Sequence, residues 1–211
     1  MNFLVNPIIH PLFQILITFV LCSGILNFGK IINNIVIKDY NYDYNFFNLA
    51  IGTIILAHII LILFLTEILN LIIIPMTTCL ILLGIFNKRF FTGIGQFYKK
   101  LFKNDNKLFT IIFIFFAIFF IISLGPPSMS DALDYHYGVP LNIIKFSNFP
   151  DHNTWLHGTL FGYAELINII PLSLKTDNFF SFFQLLSLVF FLNIFIKRKL
   201  ITINYYTQYY L

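Results

Sequence analysis

The chain has 211 residues, of which 58% are hydrophobic and 10% are charged, and its mean hydropathy is +0.84. A typical soluble domain is about 25% charged and 45 to 50% apolar, so this composition excludes an ordinary soluble enzyme and predicts an all-α, polytopic membrane protein. The net charge is +4, but the basic residues lie beside apolar segments, which indicates orientation in a membrane and no nucleic-acid partner.

Five segments have the length and apolarity needed to cross a bilayer, which takes about 20 residues. The apolar run over 46–86 is twice the length of one crossing, and Thr66, Glu67 and Asn70 near its centre predict a turn between two helices. We interpret the chain as a single domain, 1–211. Its predicted spans are 8–28, 46–65, 68–86, 108–125 and 179–196.

Two basic clusters orient these spans. Residues 87–107 carry six Lys and Arg residues against one acidic residue, Asp105, and 197–199 read Lys-Arg-Lys. Basic loops stay on the cytoplasmic side of a membrane, so both clusters place the intervening loop, 126–178, outside the cytoplasm. We therefore expect a multi-pass protein of a bacterial inner (plasma) membrane with an extracytoplasmic helical loop.

Three side chains of potentially reactive types lie inside the predicted spans. His58 is interpreted as a neutral side chain hydrogen-bonded to a neighbouring helix, and a proton relay is the alternative. Cys22 and Cys79 are interpreted as small buried hydrophobes and not as a disulfide.

The loop 126–178 holds five of the nine acidic residues, three of the five histidines and the only tryptophan. Its prolines and helix-capping residues predict three helices. One begins near Ser128 or Ser130, a second runs from Pro140 to about 146, and a third runs from near Thr154 to about 170, before Pro171.

Candidate functional side chains fall on shared faces of these helices. Asp131, Asp134 and Tyr135 are spaced three and four residues apart, which puts them on one face of the first helix. On the third helix a second face is predicted, formed by His157, Phe161, Glu165 and Asn168.

Acids outside the membrane and beside an apolar wall suit the transfer of a sugar from a lipid phosphate. The acceptor hydroxyl must lose its proton as it attacks the anomeric carbon, and a carboxylate can take that proton. The lipid phosphate leaves without a general acid, so one base suffices, unlike the carboxylate pair of a glycosidase. The alternative interpretation is that the acids are merely solvated.

A metal site is a further alternative for this loop. Asp131, Asp134, His136, His152 and His157 offer oxygen and nitrogen ligands, but their spacing matches no dedicated metal motif. We therefore expect no resident metal and no cofactor, with a divalent cation left as the open alternative.

The run from Asp131 to His136 reads Asp-Ala-Leu-Asp-Tyr-His, and Pro140 and the tripeptide Ala-Glu-Leu at 164–166 follow it. This pattern resembles the first extracytoplasmic loop of the GT-C superfamily of membrane glycosyltransferases. It is most similar to the bacterial relatives of dolichyl-phosphate-mannose protein mannosyltransferase and of the aminoarabinose lipid A transferase. There, a pattern like Asp-Ser-Leu-x-Tyr-His precedes a helix that bears Pro-Leu-Ala-Glu.

The resemblance implies a polyprenyl-phosphate-sugar donor held at the bilayer surface, with Asp131 as the catalytic base. Asp134 falls where the family pattern is not acidic, which makes it a helper or a bystander. The residues expected to bind substrate or support the site are Asp134, Tyr135, His136, His157 and Glu165.

Two features depart from the family pattern. Family members are expected to be longer, with further crossings after this loop, and the prolines that approach the Ala-Glu pair are absent, with Gly158 and Gly162 nearby. We therefore expect the N-terminal part of such an enzyme, completed by a missing C-terminal part or by a second polypeptide. The alternatives are a non-catalytic membrane fragment or assembly subunit that retains the loop, and a transporter.

Overall fold

A computed structural model describes residues 11–36, 45–87, 106–123, 136–148 and 162–192, with Phe90, Thr92, Gly95 and Ile194 as single positions. All regular elements within these residues are helical, which confirms the all-α class. In chain order the helices are α1 (Pro11–Val36), α2 (Asn45–Leu65), α3 (Leu69–Ile85), α4 (Asn106–Ser123), α5 (Gly138–Phe146), α6 (Tyr163–Ser173) and α7 (Phe179–Leu192).

The bounds of α2 and α3 agree with the predicted spans to within one residue, and the turn between them contains Glu67 in the left-handed region, at φ 63°. The first helix is longer than predicted, because it continues to Val36. Its extra turns pack on α2, where the side-chain amide of Asn33 donates to Asn48 Oδ1 at 3.1 Å. The change to polar composition after Lys30 therefore does not mark the end of α1, which lies further along the chain.

Glycines bring the backbone of α1 close to α2 and α3, as two of the contacts illustrate. A Cβ atom placed on Gly29 would lie 1.9 Å from the carbonyl oxygen of Asn48 in α2, and one placed on Gly84 would lie 2.0 Å from that of Val20. Real Cβ contacts are essentially never shorter than 3.0 Å, so only glycine permits these approaches. Close backbone packing through small residues is the usual way in which helices associate inside a bilayer.

Polar side chains cross the interface between α1 and α3. Ser23 Oγ donates to the carbonyl oxygen of Gly84 at 3.0 Å, Asn27 Nδ2 donates to that of Leu83 at 3.2 Å, and Asn87 Nδ2 returns a bond to that of Ser23 at 3.2 Å. Such interhelical hydrogen bonds are common between membrane helices.

The described helices carry polar groups inside and apolar groups outside. Gln14, Thr18 and Asn48 are buried, whereas many large apolar side chains face outward. On α4 the outward set includes Ile111, Ile114, Ile118, Ile121 and Ile122. An apolar outer surface of this extent indicates contact with lipid or with another protein.

Two helices in the described part are long and apolar enough to cross a membrane by length and composition, α1 over Leu12–Val36 and α2 over Asn45–Leu65. The three other predicted spans contain shorter apolar helices, Leu69–Ile85, Phe113–Ile122 and Phe179–Leu192.

Helices α5 and α6 pack against each other, and α6 also contacts α2 and α3. Their buried side chains, such as Ile143 of α5 and Ile167 of α6, join the same hydrophobic core as those of α1, α2 and α3. The side chain of Asn70, at the start of α3, donates to Ser147 Oγ just after α5. The two short helices are thereby fixed beside the α2–α3 turn, where they position the candidate site.

Candidate functional site at the start of α6

The candidate site is built on a pair of side chains, His136 and Glu165. His136 Nδ1 lies 2.6 Å from Glu165 Oε1. The glutamate side chain is only 6% exposed, while that of the histidine is 41% exposed. The buried carboxyl group of Glu165 therefore contacts an imidazole that is itself partly exposed. This arrangement brings together two residues, 29 positions apart, that the sequence predicted for the site.

Glu165 is fixed by the first turn of α6. Its Oε2 accepts a hydrogen bond from the backbone N–H of Gly162 at 2.6 Å, as a glutamate at the third helical position does in a capping box. Gly162 itself has extended backbone, with φ −128° and ψ −169°. The prediction of a continuous helix from near Thr154 is therefore wrong at this point, because α6 begins at Tyr163; it also continues through Pro171.

Two further contacts restrain His136. Asn168 Nδ2, one turn after Glu165 on α6, donates to the backbone carbonyl oxygen of His136 at 2.9 Å. The imidazole stacks on the ring of Phe180, with 6.5 Å between ring centroids and 22° between the planes. The spacing of Glu165 and Asn168 predicted a shared helical face, and in the structure both side chains contact His136. The stacking on Phe180 has no signal in the sequence.

Tyr137 ties the site to the segment before α7. Its hydroxyl donates to the backbone carbonyl oxygen of Asp177 at 2.5 Å. Burial, and to a smaller extent the charge of Asp177, raises the pKa of Tyr137 to about 12. The same segment is fixed by Gln14, whose Oε1 accepts the backbone N–H of Asp177 at 3.1 Å and that of Asn178 at 3.3 Å. A glutamine within an apolar helix is a signal for a buried hydrogen bond, but nothing in the sequence indicates these partners for Gln14.

The other predicted site residues, Asp131, Asp134, Tyr135 and His157, lie outside the described residues, so their roles stay predictions. His58 is exposed on α2, and its Nδ1 lies 2.8 Å from the carbonyl oxygen of Ile54 in the same helix. The hydrogen bond observed for His58 is thus within its own helix, and the interpretation that it bonds to a neighbouring helix is not supported by this contact.

Within the described residues no group of three or more His, Cys, Asp or Glu side chains could hold a metal ion. Cys22 is buried, as expected, whereas Cys79 is exposed, and both are free thiols.

An open cavity of about 390 Å³ lies between α1, α4 and α7. Its walls are apolar, and they include Phe19, Phe116, Phe120, Phe182 and Val189. On α7 the lining residues occupy the face opposite Phe180, because Phe182 and Phe180 are two residues apart in a helix with 3.6 residues per turn. The cavity is therefore separate from the His136 site.

Residues 83–204 match the family model described as the DUF1420 N-terminal domain. No curated protein and no solved structure matches the chain.

Proposed function

The chain belongs to the DUF1420 family through a domain that spans both His136 and Glu165, and from this premise we propose that it is the N-terminal part of a membrane glycosyltransferase of the GT-C type. The enzyme would transfer a sugar from a polyprenyl-phosphate donor to an extracytoplasmic acceptor. The observation that carries the proposal is the 2.6 Å contact between His136 and Glu165. Both residues belong to the pattern through which the sequence resembles GT-C loops.

The membrane part of the proposal rests on the distribution of polarity. Buried Gln14 and Asn48, apolar outer faces and backbone contacts through Gly29 and Gly84 are the features of helices packed in lipid. We propose five crossings in a bacterial inner membrane, with the loop 126–178 on the outer side, where it meets the headgroup of a lipid carrier.

In the proposed reaction the oxygen of the acceptor hydroxyl attacks the anomeric carbon of the donor. The new carbon–oxygen bond forms as the bond to the phosphate oxygen breaks, and the electron pair leaves with the lipid phosphate. The acceptor's proton passes to a base, and the resemblance implies Asp131 for that role. His136 and Glu165 lie at the same loop and support the site.

A transfer assay tests the proposal. The full chain, with any associated subunit, is reconstituted into vesicles that contain a polyprenyl-phosphate sugar with a radioactive label. We expect Asp131→Asn to abolish transfer of label to acceptors while membrane insertion stays normal. His58→Asn is the control, because His58 is exposed on the surface of α2, and it should leave transfer unchanged. Retained turnover in Asp131→Asn would remove that residue from the role of base.

The orientation has its own test. Ser147 is exposed just after α5, on the same loop as the site, and a Ser147→Cys variant in a background without Cys22 and Cys79 gives one thiol for labelling. We expect an impermeant maleimide added outside intact cells to label it. Labelling only after the membrane is opened would place the site on the cytoplasmic side and contradict a lipid-linked donor at the outer face.

The second candidate function is a non-catalytic assembly subunit. It is favoured by the apolar outward side chains of α4, which are suited to helices of a second polypeptide as well as to lipid. This function predicts that the chain purifies with that polypeptide in a fixed ratio and transfers no sugar from any lipid-linked donor.

A further inference from the structure

Helix α4 stands apart from the helices that pack closely around α1. Within the described residues it makes no extended backbone contact with α1, α2 or α3. It meets α7 through side chains. Phe116 and Val189 share a small buried cluster, and the rings of Phe120 and Phe182 lie edge to face with 5.6 Å between their centroids. The cavity of about 390 Å³ lies in the space that these contacts leave between α1, α4 and α7.

The described walls of this cavity consist of hydrocarbon side chains throughout. Five of the ten lining residues are phenylalanine, and the others are alanine, isoleucine, leucine and valine. An apolar cavity of about 150 Å³ with walls of this kind stays free of water and binds benzene. The wall atoms of a void also lose van der Waals contacts that a ligand would supply. The chemistry of the walls therefore favours a hydrocarbon ligand.

The cavity is too small for a helix of another polypeptide. Its walls on α4 run from Phe113 to Ile121, which is about 12 Å at 1.5 Å per residue. A helix about 10 Å across needs roughly 900 Å³ over that length, which is more than twice the volume of the cavity. Where helices of this chain do meet closely, Gly24, Gly29 and Gly84 let backbone reach backbone, as is usual between membrane helices. No described residue of the cavity walls is a glycine, so composition as well as size disfavours a helix.

The volume fits one fatty acyl chain. Benzene fills a cavity of about 150 Å³, so about 15 carbon atoms fit into 390 Å³ at the same density. That is the size of one acyl chain of a membrane phospholipid, whereas a polyprenyl carrier chain is several times longer. All three lining helices fall within predicted spans, and the surrounding bilayer would itself supply such acyl chains.

We propose that the cavity between α1, α4 and α7 binds one acyl chain of a membrane phospholipid, which completes the contact of α4 with the other helices. The phospholipid is a structural ligand, and it is distinct from the lipid-linked sugar of the proposed reaction. The inference requires the chain to lie in a membrane and is independent of transferase activity.

Two tryptophan substitutions on α4 test the site. Ala117 lines the cavity, whereas Ile118 points about 100° away from it around the helix and is 51% exposed. The indole of Ala117→Trp therefore takes the space of the acyl chain. The indole of Ile118→Trp meets the outer surroundings of α4, which makes this variant the matched control.

Native mass spectrometry measures the bound lipid. The full chain is incorporated into vesicles of phosphatidylethanolamine and phosphatidylglycerol and purified from them in a mild detergent, and the phospholipid molecules that remain bound are counted. We expect the wild type and Ile118→Trp to retain one phospholipid and Ala117→Trp to lose it. Equal retention by all three proteins, or no retained phospholipid in the wild type, would overturn the inference.

Photolabelling of the wild type gives a second measurement that does not depend on the folding of a variant. The same vesicles carry a small share of a phospholipid with a diazirine in its acyl chain, and labelled residues are identified after irradiation. Leu186 lines the cavity and is only 5% exposed. We expect label there, and we expect an excess of unlabelled phospholipid to remove it.

Three other outcomes would overturn the inference. The first is label confined to outward residues of α4 such as Ile114 and Ile118. The second is label at Leu186 that polyprenyl phosphate displaces and phospholipid does not, which would make a polyprenyl chain the occupant. The third is a copurified polypeptide that protects Leu186 from label. Retained phospholipid without any sugar transfer would support the lipid site and count against the transferase alone.

Discussion

Replacement of Gly84 by alanine should push α3 away from α1. A Cβ atom at this position would lie 2.0 Å from the carbonyl oxygen of Val20, and backbone cannot swing aside as a side chain can. The two helices must separate locally by about 1 Å before the contact reaches the shortest distance that real Cβ atoms show. The hydrogen bonds between Ser23, Asn27 and Asn87 and the facing backbone, now 3.0 to 3.2 Å, would lengthen to about 4 Å and be lost.

The size of the effect follows from these losses. Interhelical hydrogen bonds in membranes average about 0.6 kcal/mol, so three of them contribute about 2 kcal/mol. Weaker van der Waals contact along the opened interface lowers the stability by about 1 kcal/mol more. The higher helix propensity of alanine raises it by about 1 kcal/mol. We expect a net loss of about 2 kcal/mol in the free energy of unfolding.

Reversible unfolding in mixed detergent micelles, followed by circular dichroism, measures this loss. Gly95→Ala is the control, because a Cβ atom there has nothing within 4 Å and alanine should be neutral or slightly stabilising. If Gly84→Ala unfolds at the same denaturant fraction as Gly95→Ala, α1 and α3 are not packed through this glycine.

Three other substitutions test the polar links of the site. Tyr137→Phe should remove one tyrosine that ionises near pH 12 from a spectrophotometric titration. Because this pKa lies above the unfolded value of about 10, the stability that Tyr137 contributes is lost as pH rises from 10 to 12. The difference in the free energy of unfolding between the wild type and Tyr137→Phe should therefore shrink over that range. Gln14→Leu leaves two backbone N–H groups without their acceptor and should lower the free energy of unfolding by about 2 kcal/mol, whereas exposed Gln184→Leu should change it little, and equal effects would refute the link. In Glu165→Gln one terminal oxygen becomes an NH2 group, so the side chain cannot keep both its hydrogen bond with Gly162 and its contact with His136 through oxygen atoms. The thermal midpoint should therefore fall, and an unchanged midpoint would argue against the contact between His136 and Glu165.

Part of this fold could be predicted because it depends on local patterns. Thr66 and Glu67 interrupt an apolar run, and the turn lies where they do. The length of α1 could not be predicted in this way, because its last turns are held by contacts with a different helix, such as that between Asn33 and Asn48. Composition marks where polar residues begin, and packing decides where the helix ends.

The site shows the same division. The spacing of Glu165 and Asn168 predicted a shared face, and both reach His136. The prediction starts α6 too early because it extends helical spacing across Gly162. A glycine followed three residues later by a glutamate is a usable signal for a helix start, and here it marks the correct boundary. The meeting of His136 and Glu165 depends on how α5 and α6 pack, which residue spacing does not specify.

The bonds that Gln14 makes to Asp177 and Asn178 bridge more than 160 positions of the chain, and this has a consequence for biogenesis. At about 5 to 20 residues per second, a ribosome needs roughly 10 to 30 s to make the intervening polypeptide. For that time Gln14 Oε1 must accept its hydrogen bonds from groups other than these two, such as water. Closure of the fold around Gln14 is therefore a late event, and this end of the first helix should stay open to exchange with solvent until residues 177 and 178 have been made.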